Sequence, residues 1–435
     1  MLSAFASAFR TPDLRKKLLF SLAMIGLYRL GASVPTPGVS VKNINQCIGI
    51  VSSGASANLY SLVNLFSGGA LLKLSVFALG IMPYITASII IQLLVVVIPR
   101  FEQLKKEGQS GQAKLTQYTR YLTVALAILQ STGIIALAKN NQLFQGCPLP
   151  TLTDTSVYNV VSMVITMSAG TCVVMWLGEL LTDRGVGNGM SVLIFTSIAA
   201  QIPGEGQTLL RNGGGFAFFL ICMLGLAIIT AVVFVEQAQR RIPVQYAKRM
   251  VGRRMYGGTS TYLPLKVNQA GVIPVIFAAS LLYIPQLFSQ LQGSSTGTLR
   301  RFIDNNLVNQ GNWVHISVYF ALNIFFTYFY VSITFNPEER ADDMKKYGGF
   351  IPGIRPGRPT TEYLSFVLSR ITFPGSLYLA TVAVLPNFFF SFSAGANQNF
   401  PFGGTAVLIL VGVGLDTVKQ IESQLMQRNY EGFLR

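Results

Sequence analysis

Charge is scarce in this sequence, and acidic charge is scarcest: 17 Asp and Glu stand against 33 Lys and Arg among 435 residues, with one histidine. A water-soluble chain normally carries about a quarter of its residues as charges; here the share is 11%. The single histidine, His315, has no HExxH surroundings and is read as an interfacial polar residue, not a metal ligand. The four cysteines (Cys47, Cys147, Cys172, Cys222) form no CxxC pair and no zinc-like spacing. No Walker A loop, GxSxG elbow or paired intramembrane carboxylate occurs, so this chain does not by itself hydrolyse nucleotides and shows no hydrolase site. RGVGNGM (184–190) superficially resembles a phosphate loop, but it follows no strand and reads as a loop-to-helix turn. No enzyme activity, metal or cofactor is expected.

Apolar length is abundant: hydrophobic residues make up 51% of the chain. Uncharged windows long enough to cross a bilayer recur throughout, which predicts a polytopic helical membrane protein. The N-terminal MLSAFASAFRTPDLRKK leads into a span-length stretch, unlike the short apolar region of a cleaved leader. Hydropathy and helix breakers predict ten spans, near 18–35, 75–98, 119–138, 157–178, 189–202, 216–236, 268–288, 315–335, 363–385 and 403–420. The fifth is short for a full crossing. The stretch from Asn58 to Pro99 is about twice one crossing, and Gly68-Gly69, Lys73, Gly80 and Pro83 interrupt it.

Positive charge sets the orientation. With the N-terminus cytoplasmic, 25 of the 33 Lys and Arg fall on that side and five on the other (Lys42, Lys139, Arg211, Arg300, Arg301). Arg29, Lys73 and Arg370 lie in or beside spans. Both termini are therefore expected inside. Two cytoplasmic loops, about 237–266 and 336–362, combine basic residues with Gly, Pro and Tyr and are expected to be shaped, not disordered. Cys47 and Cys147 fall in outward loops, where an oxidising compartment permits a disulfide.

A repeat is also present. GIMPYITA (80–87) matches GVIPVIFA (271–278), and GMSVLI (189–194) matches GTAVLI (404–409), each pair five spans apart. Five is odd, so the second half enters the membrane inverted. The fold class is all-α, with ten transmembrane helices in two inverted-repeat halves of five, 1–202 and 216–435. In-plane inverted repeats belong to transporters and channels, with the pathway at the repeat interface. The alignment pairs Ile85 with Ile276 and Ile194 with Ile409. Mid-span polar residues are mostly uncharged (Thr86, Gln92, Gln130, Asn268), unlike the charged midplane of ion-coupled carriers. The pattern favours a seal around variable cargo. A small-anion carrier and a membrane-anchored RNA-binding scaffold stay open as alternatives.

Five blocks carry a specific resemblance: NLFSGGALLKLSVFALGIMPYITASIIIQLL, IPRFEQLKKEGQSGQAKLTQYTRY, GELLTDRGVGNGMS, LPLKVNQAGVIPVIFAASLL and GGFIPGIRPGRPT. With them, essentially the whole chain resembles the SecY family of the bacterial Sec protein translocase. The resemblance implies a channel that passes unfolded polypeptides across the bacterial plasma membrane and releases transmembrane segments sideways into lipid. It implies an apolar pore ring of Ile81, Ile85, Met190, Ile194, Ile276 and Ile409. Met190 departs from the commonest ring residue but stays apolar and flexible. It further implies a plug helix over about 58–73, with Asn64, Phe66, Ser67, Gly68 and Gly69, and a lateral gate including Thr86, Gln92, Gln130 and Asn268. Arg253, Arg254 and Arg355 would dock the translating ribosome or the SecA motor. SecE and SecG would be companion subunits, and signal-bearing chains and lipid the other partners.

Overall fold

The structure, a computed structural model, describes residues 9, 11–51, 67–139, 149–246, 249–251, 254–256, 260–291, 303, 306–307, 312–392 and 404–432. Its helices, in chain order, are α1 (Pro12–Ser33), α2 (Val41–Val51), α3 (Met82–Val97), α4 (Pro99–Lys106), α5 (Gln109–Lys139), α6 (Val157–Arg184), α7 (Gly189–Ala199), α8 (Ile202–Gln237), α9 (Ile273–Leu291), α10 (Trp313–Thr334), α11 (Pro337–Lys346), α12 (Arg358–Phe392) and α13 (Gly404–Gly432). Each expected span falls on one of them; α2, α4 and α11 are additional. Four of these helices (α5, α6, α10, α12) lie in stretches long and apolar enough to cross a bilayer unaided. A fifth crossing arises if α3 and α4 are counted together, although they bend by 100° where Pro99 follows Ile98. The short fifth span is α7, which stops at Ala199 and turns into α8.

Many hydroxyls inside these helices are satisfied locally, as a membrane interior favours. The hydroxyls of Thr86, Thr119, Thr123, Thr171, Thr196 and Thr327 each donate to the carbonyl four residues earlier, at 2.7–3.1 Å. Helix starts are capped by amides: Asn188, Asn312 and Asn336 each accept from the backbone N–H two residues on, at 3.1 Å. Glu338 and Glu339 open α11 and Lys345 and Lys346 close it, complementing its dipole.

The two long loops are indeed shaped. In the first, β1 (Gln239–Tyr246) pairs antiparallel with β4 (Ser260–Lys266), in register from Gln239 opposite Lys266 to Gln245 opposite Ser260. Between them β2 (Arg249–Val251) and β3 (Arg254–Tyr256) form a small hairpin. The second loop contributes α11 and β5 (Gly349–Phe350), which joins the free edge of β1. Ile242 and Leu265 of this sheet pack with Val331, Phe335, Ala341, Ile351 and Leu364, fixing the sheet against α10, α11 and α12.

One expectation is corrected: a helix does not begin near Ser75. Residues 68–81 form successive turns, and α3 starts at Met82. Four residues in this stretch are left-handed: Gly68, Gly69, Leu74 and Gly80. The cause is competition from the chain that follows α1. Thr36 donates twice to the Leu74 carbonyl, through N (3.0 Å) and Oγ1 (2.8 Å), and Val76 N donates to Val34 O at 2.9 Å. These bonds claim groups that a longer α3 would need for its own ladder. The expected plug helix is corrected likewise in its described part, where Ser67 is helical and 68–73 are turns.

Candidate functional site

The halves of the chain meet at one apolar cluster. Ile81 caps α3, and its carbonyl accepts from Tyr84 N and Ile85 N at 3.1 Å each. Ile194 comes from α7, Ile276 from α9 and Ile409 from α13; these three and Ile81 are buried, and half-buried Ile85 and Met190 pack against them. The structure thus brings together all six residues expected to form a ring. Tyr28, Phe77, Val174, Leu177, Leu181, Leu193, Ile198 and Ala406 are the other buried members of the cluster.

Local backbone explains how the repeat presents these side chains. Gly80 and Gly271 are both left-handed, with φ of 55° and 62°, and the helix begins two residues after each, at Met82 and Ile273. Glycine reaches this conformation without a β-carbon penalty. Ile85 and Ile276 therefore each lie three residues into a helix. Gly189 and Gly404 are first residues of α7 and α13, which places Ile194 and Ile409 five residues in. Met190 rests on α6 at Gly178, where a β-carbon would overlap its thioether.

Other expected site residues are scattered. The Thr86 hydroxyl is used within α3, donating to Met82 O at 3.0 Å. Gln92 is exposed on α3 and Gln130 half-buried on α5. Asn268 is buried ahead of α9, where its Nδ2 donates to Glu236 Oε1 and to Gly271 O. No hydrogen bond joins any two of these four residues, although α9 packs against both α3 and α5. Ser67 is buried, and the left-handed Gly68 and Gly69 follow it; Asn64 and Phe66 lie outside the described residues. Arg254 is the first residue of β3, Arg253 lies outside the described residues, and Arg355 is exposed in the turn before α12. Cys47 is buried and disulfide-bonded, Cys172 and Cys222 are free, and Cys147 lies outside the described residues.

Sequence reasoning missed three polar fasteners. Arg120 grips Glu179 with two bonds, Nε to Oε1 at 2.9 Å and Nη2 to Oε2 at 2.8 Å, tying α5 to α6. Glu236 meets Asn268 as above. Arg29 Nη1 donates to Gly68 O at 3.1 Å. Charges within apolar helices were the available signal, but their partners are distant in sequence.

A family model for SecY matches residues 75–418. The chain belongs to the SecY family. It is 66% identical over 441 residues to the protein translocase subunit SecY of Mycobacterium tuberculosis, with 100% of each chain covered. Among solved structures it resembles a protein-conducting channel at 18% identity, with a TM-score of 0.63 and coverage of 94% of this chain and 91% of that one. It also resembles Sec61 in a canine ribosome–channel complex from the endoplasmic reticulum, at 17% identity, a TM-score of 0.61 and the same coverage. These structural likenesses establish that the SecY-family fold is the fold of this chain.

Proposed function

We propose that this chain is the pore-forming subunit of a Sec protein translocase, passing unfolded polypeptides across the bacterial plasma membrane and releasing transmembrane segments into lipid. The observation that carries this reading is the convergence of Ile81, Ile85, Met190, Ile194, Ile276 and Ile409, from four helices of both halves, into one apolar cluster. Branched apolar side chains hold no fixed polar partner, so such a ring accepts any sequence yet resists ions and water. Packed together, such a ring would seal the pore. An apolar segment then leaves between α3 and α5 on one side and α9 and α10 on the other. Each central Leu, Ile, Phe or Val favours lipid by about 0.3–0.6 kcal/mol. Thr86, Gln92, Gln130 and Asn268 line that gate, and residues 58–73 form the stopper beneath the ring.

The two halves are 1–202 and 216–435, and both termini are cytoplasmic. The sheet of β1, β4 and β5 and the exposed Arg355 face the cytoplasm and, with Arg253 and Arg254, receive the translating ribosome or the SecA ATPase. Those partners supply the energy this chain lacks. The Sec61 structure comes from a ribosome–channel complex, which supports the first of them. SecE and SecG are the companion subunits, and Cys47 pairs with Cys147 on the outer face. An ion-coupled carrier is disfavoured because, among the described residues, Glu236 is the one buried carboxylate and it lies at the end of α8.

The test is a photocrosslinker at Ile194 with a stalled secretory chain. A crosslink to the translocating polypeptide is expected; its absence with a chain shown to be engaged would overturn the channel reading.

A further inference from the structure

The helices α3 and α9, which carry Ile85 and Ile276, are each approached through the same backbone joint. In the first half, α1 ends at Ser33 with Val34 as its C-cap, and the Val34 carbonyl accepts from Val76 N at 2.9 Å. In the second half, α8 ends at Gln237 with Ala238 as its C-cap, and the Ala238 carbonyl accepts from Val267 N at 3.0 Å. The next rung matches too: Pro35 pairs antiparallel with Ser75, and Gln239 with Lys266. Four residues beyond each valine stands a left-handed glycine, Gly80 or Gly271, and nine beyond stands Ile85 or Ile276.

The other side of each joint is also alike. The Val76 carbonyl lies against α6 at Gly170, and the Val267 carbonyl against α12 at Gly375; a β-carbon at either glycine would overlap that oxygen. Gly375 is the one glycine of α12. Glycine weakens a helix interior, but it lets a foreign carbonyl come close to the helix backbone, where Cα–H groups meet the oxygen. Each valine is thus held at its N–H by the end of one helix and at its carbonyl by the side of another. The depth at which it is held passes through the turn at Gly80 or Gly271 to the isoleucine beyond.

We propose that Gly170 and Gly375 are positioning residues of the pore ring: Gly170, through the Val76 carbonyl, sets the level of Ile85, and Gly375, through the Val267 carbonyl, sets that of Ile276. This rests on reading the six apolar residues as the ring around the moving chain, and adds what fixes their height. In the topology proposed above, the Gln239–Lys266 joint faces the cytoplasm and the Pro35–Ser75 joint the outer side. Ile276 is therefore levelled from one face of the membrane and Ile85 from the other. A shift at one joint tilts the ring and does not move it as a whole.

The test places a photocrosslinker at Ile85 or at Ile276 of the full channel, engaged with one stalled secretory chain. It compares wild type, Gly170→Ala, Gly375→Ala and, as a control, Gly26→Ala, where an added β-carbon meets no atom within 4 Å. Gly170→Ala is expected to cut capture of the wild-type segment at Ile85 several-fold, with capture moved along the stalled chain, and to leave Ile276 unchanged. Gly375→Ala is expected to do the reverse, and Gly26→Ala to match wild type at both. Wild-type capture at both positions in either Gly170→Ala or Gly375→Ala overturns the inference. Equal loss at Ile85 and Ile276 also overturns it, since the glycine then acts through general packing, and so does an equal shift in the control. Absence of capture at both positions in wild type, with a chain shown to be engaged, overturns the pore-ring reading and the inference with it. If an alanine variant does not accumulate in the membrane, Thr36→Val decides, because it removes one of the two bonds from Thr36 to the Leu74 carbonyl beside Ser75. A shift at Ile85 with none at Ile276 then supports the inference, and wild-type capture at both overturns it.

Discussion

Met190 rests on Gly178, so closely that a β-carbon at position 178 would overlap its sulfur. Gly178 thereby sets how closely Met190 approaches α6, the helix on which this member of the proposed ring rests. Gly178→Ala is expected to destabilise the protein by about 1–3 kcal/mol through overpacking, seen as a lower Tm in detergent. Met190→Ala should remove most of that cost when combined with it, because the two changes share one space. Full additivity would show that the strain lies elsewhere.

Gly80 and Gly271 share a left-handed conformation at matching points of the two halves. Alanine at either is expected to cost about 1–2 kcal/mol, with the two costs alike. Thermal unfolding of the two single variants checks this. A cost at one site and none at the other would mean that the matched geometry is not a matched constraint.

Asn268 bonds the buried Glu236 and, through Gly271 O, the start of the helix that carries Ile276. Asn268→Leu leaves the carboxyl without this donor, at an expected cost of about 1–3 kcal/mol. Adding Glu236→Leu should recover part of the lost Tm, as replacing both partners is milder than orphaning one. A double variant less stable than Asn268→Leu would contradict this account of the pair.

Arg355 is exposed, and among the described residues its side chain makes no hydrogen bond or ion pair, while its carbonyl accepts from Thr360 Oγ1 at 2.9 Å. Arg355→Glu should therefore fold and enter the membrane at wild-type levels while protein export falls several-fold. Pulse-labelling of a secreted reporter reads this directly. Normal export would remove the docking role.

The span pattern was legible because lipid imposes it: each of the ten apolar stretches lies on a helix, with ends displaced by up to 14 residues, as at Ile202 for the sixth. The repeat was legible because Gly80 and Gly271 answer the same backbone demand. The start of α3 was not, since hydropathy cannot see that Thr36 and Val34 claim the backbone of Leu74 and Val76. The sheet hid inside a basic loop whose strand period is short and half exposed, with Ile242 and Val244 its buried beats. The six residues of the proposed ring follow from the family resemblance, four of them also paired by the repeat, but Arg29–Gly68, Arg120–Glu179 and Glu236–Asn268 join positions 39, 59 and 32 residues apart. No local pattern announces such pairs.

The central claim is that six side chains surround one moving polypeptide. A photocrosslinker placed in turn at Ile81, Ile85, Met190, Ile194, Ile276 and Ile409, with one stalled secretory chain, tests it, using exposed Val97 and Phe234 as outward-facing controls. The account predicts that all six positions capture the same short segment of the stalled chain and that Val97 and Phe234 do not. Capture at the controls equal to that at the six, or segments far apart in the stalled chain, would contradict it.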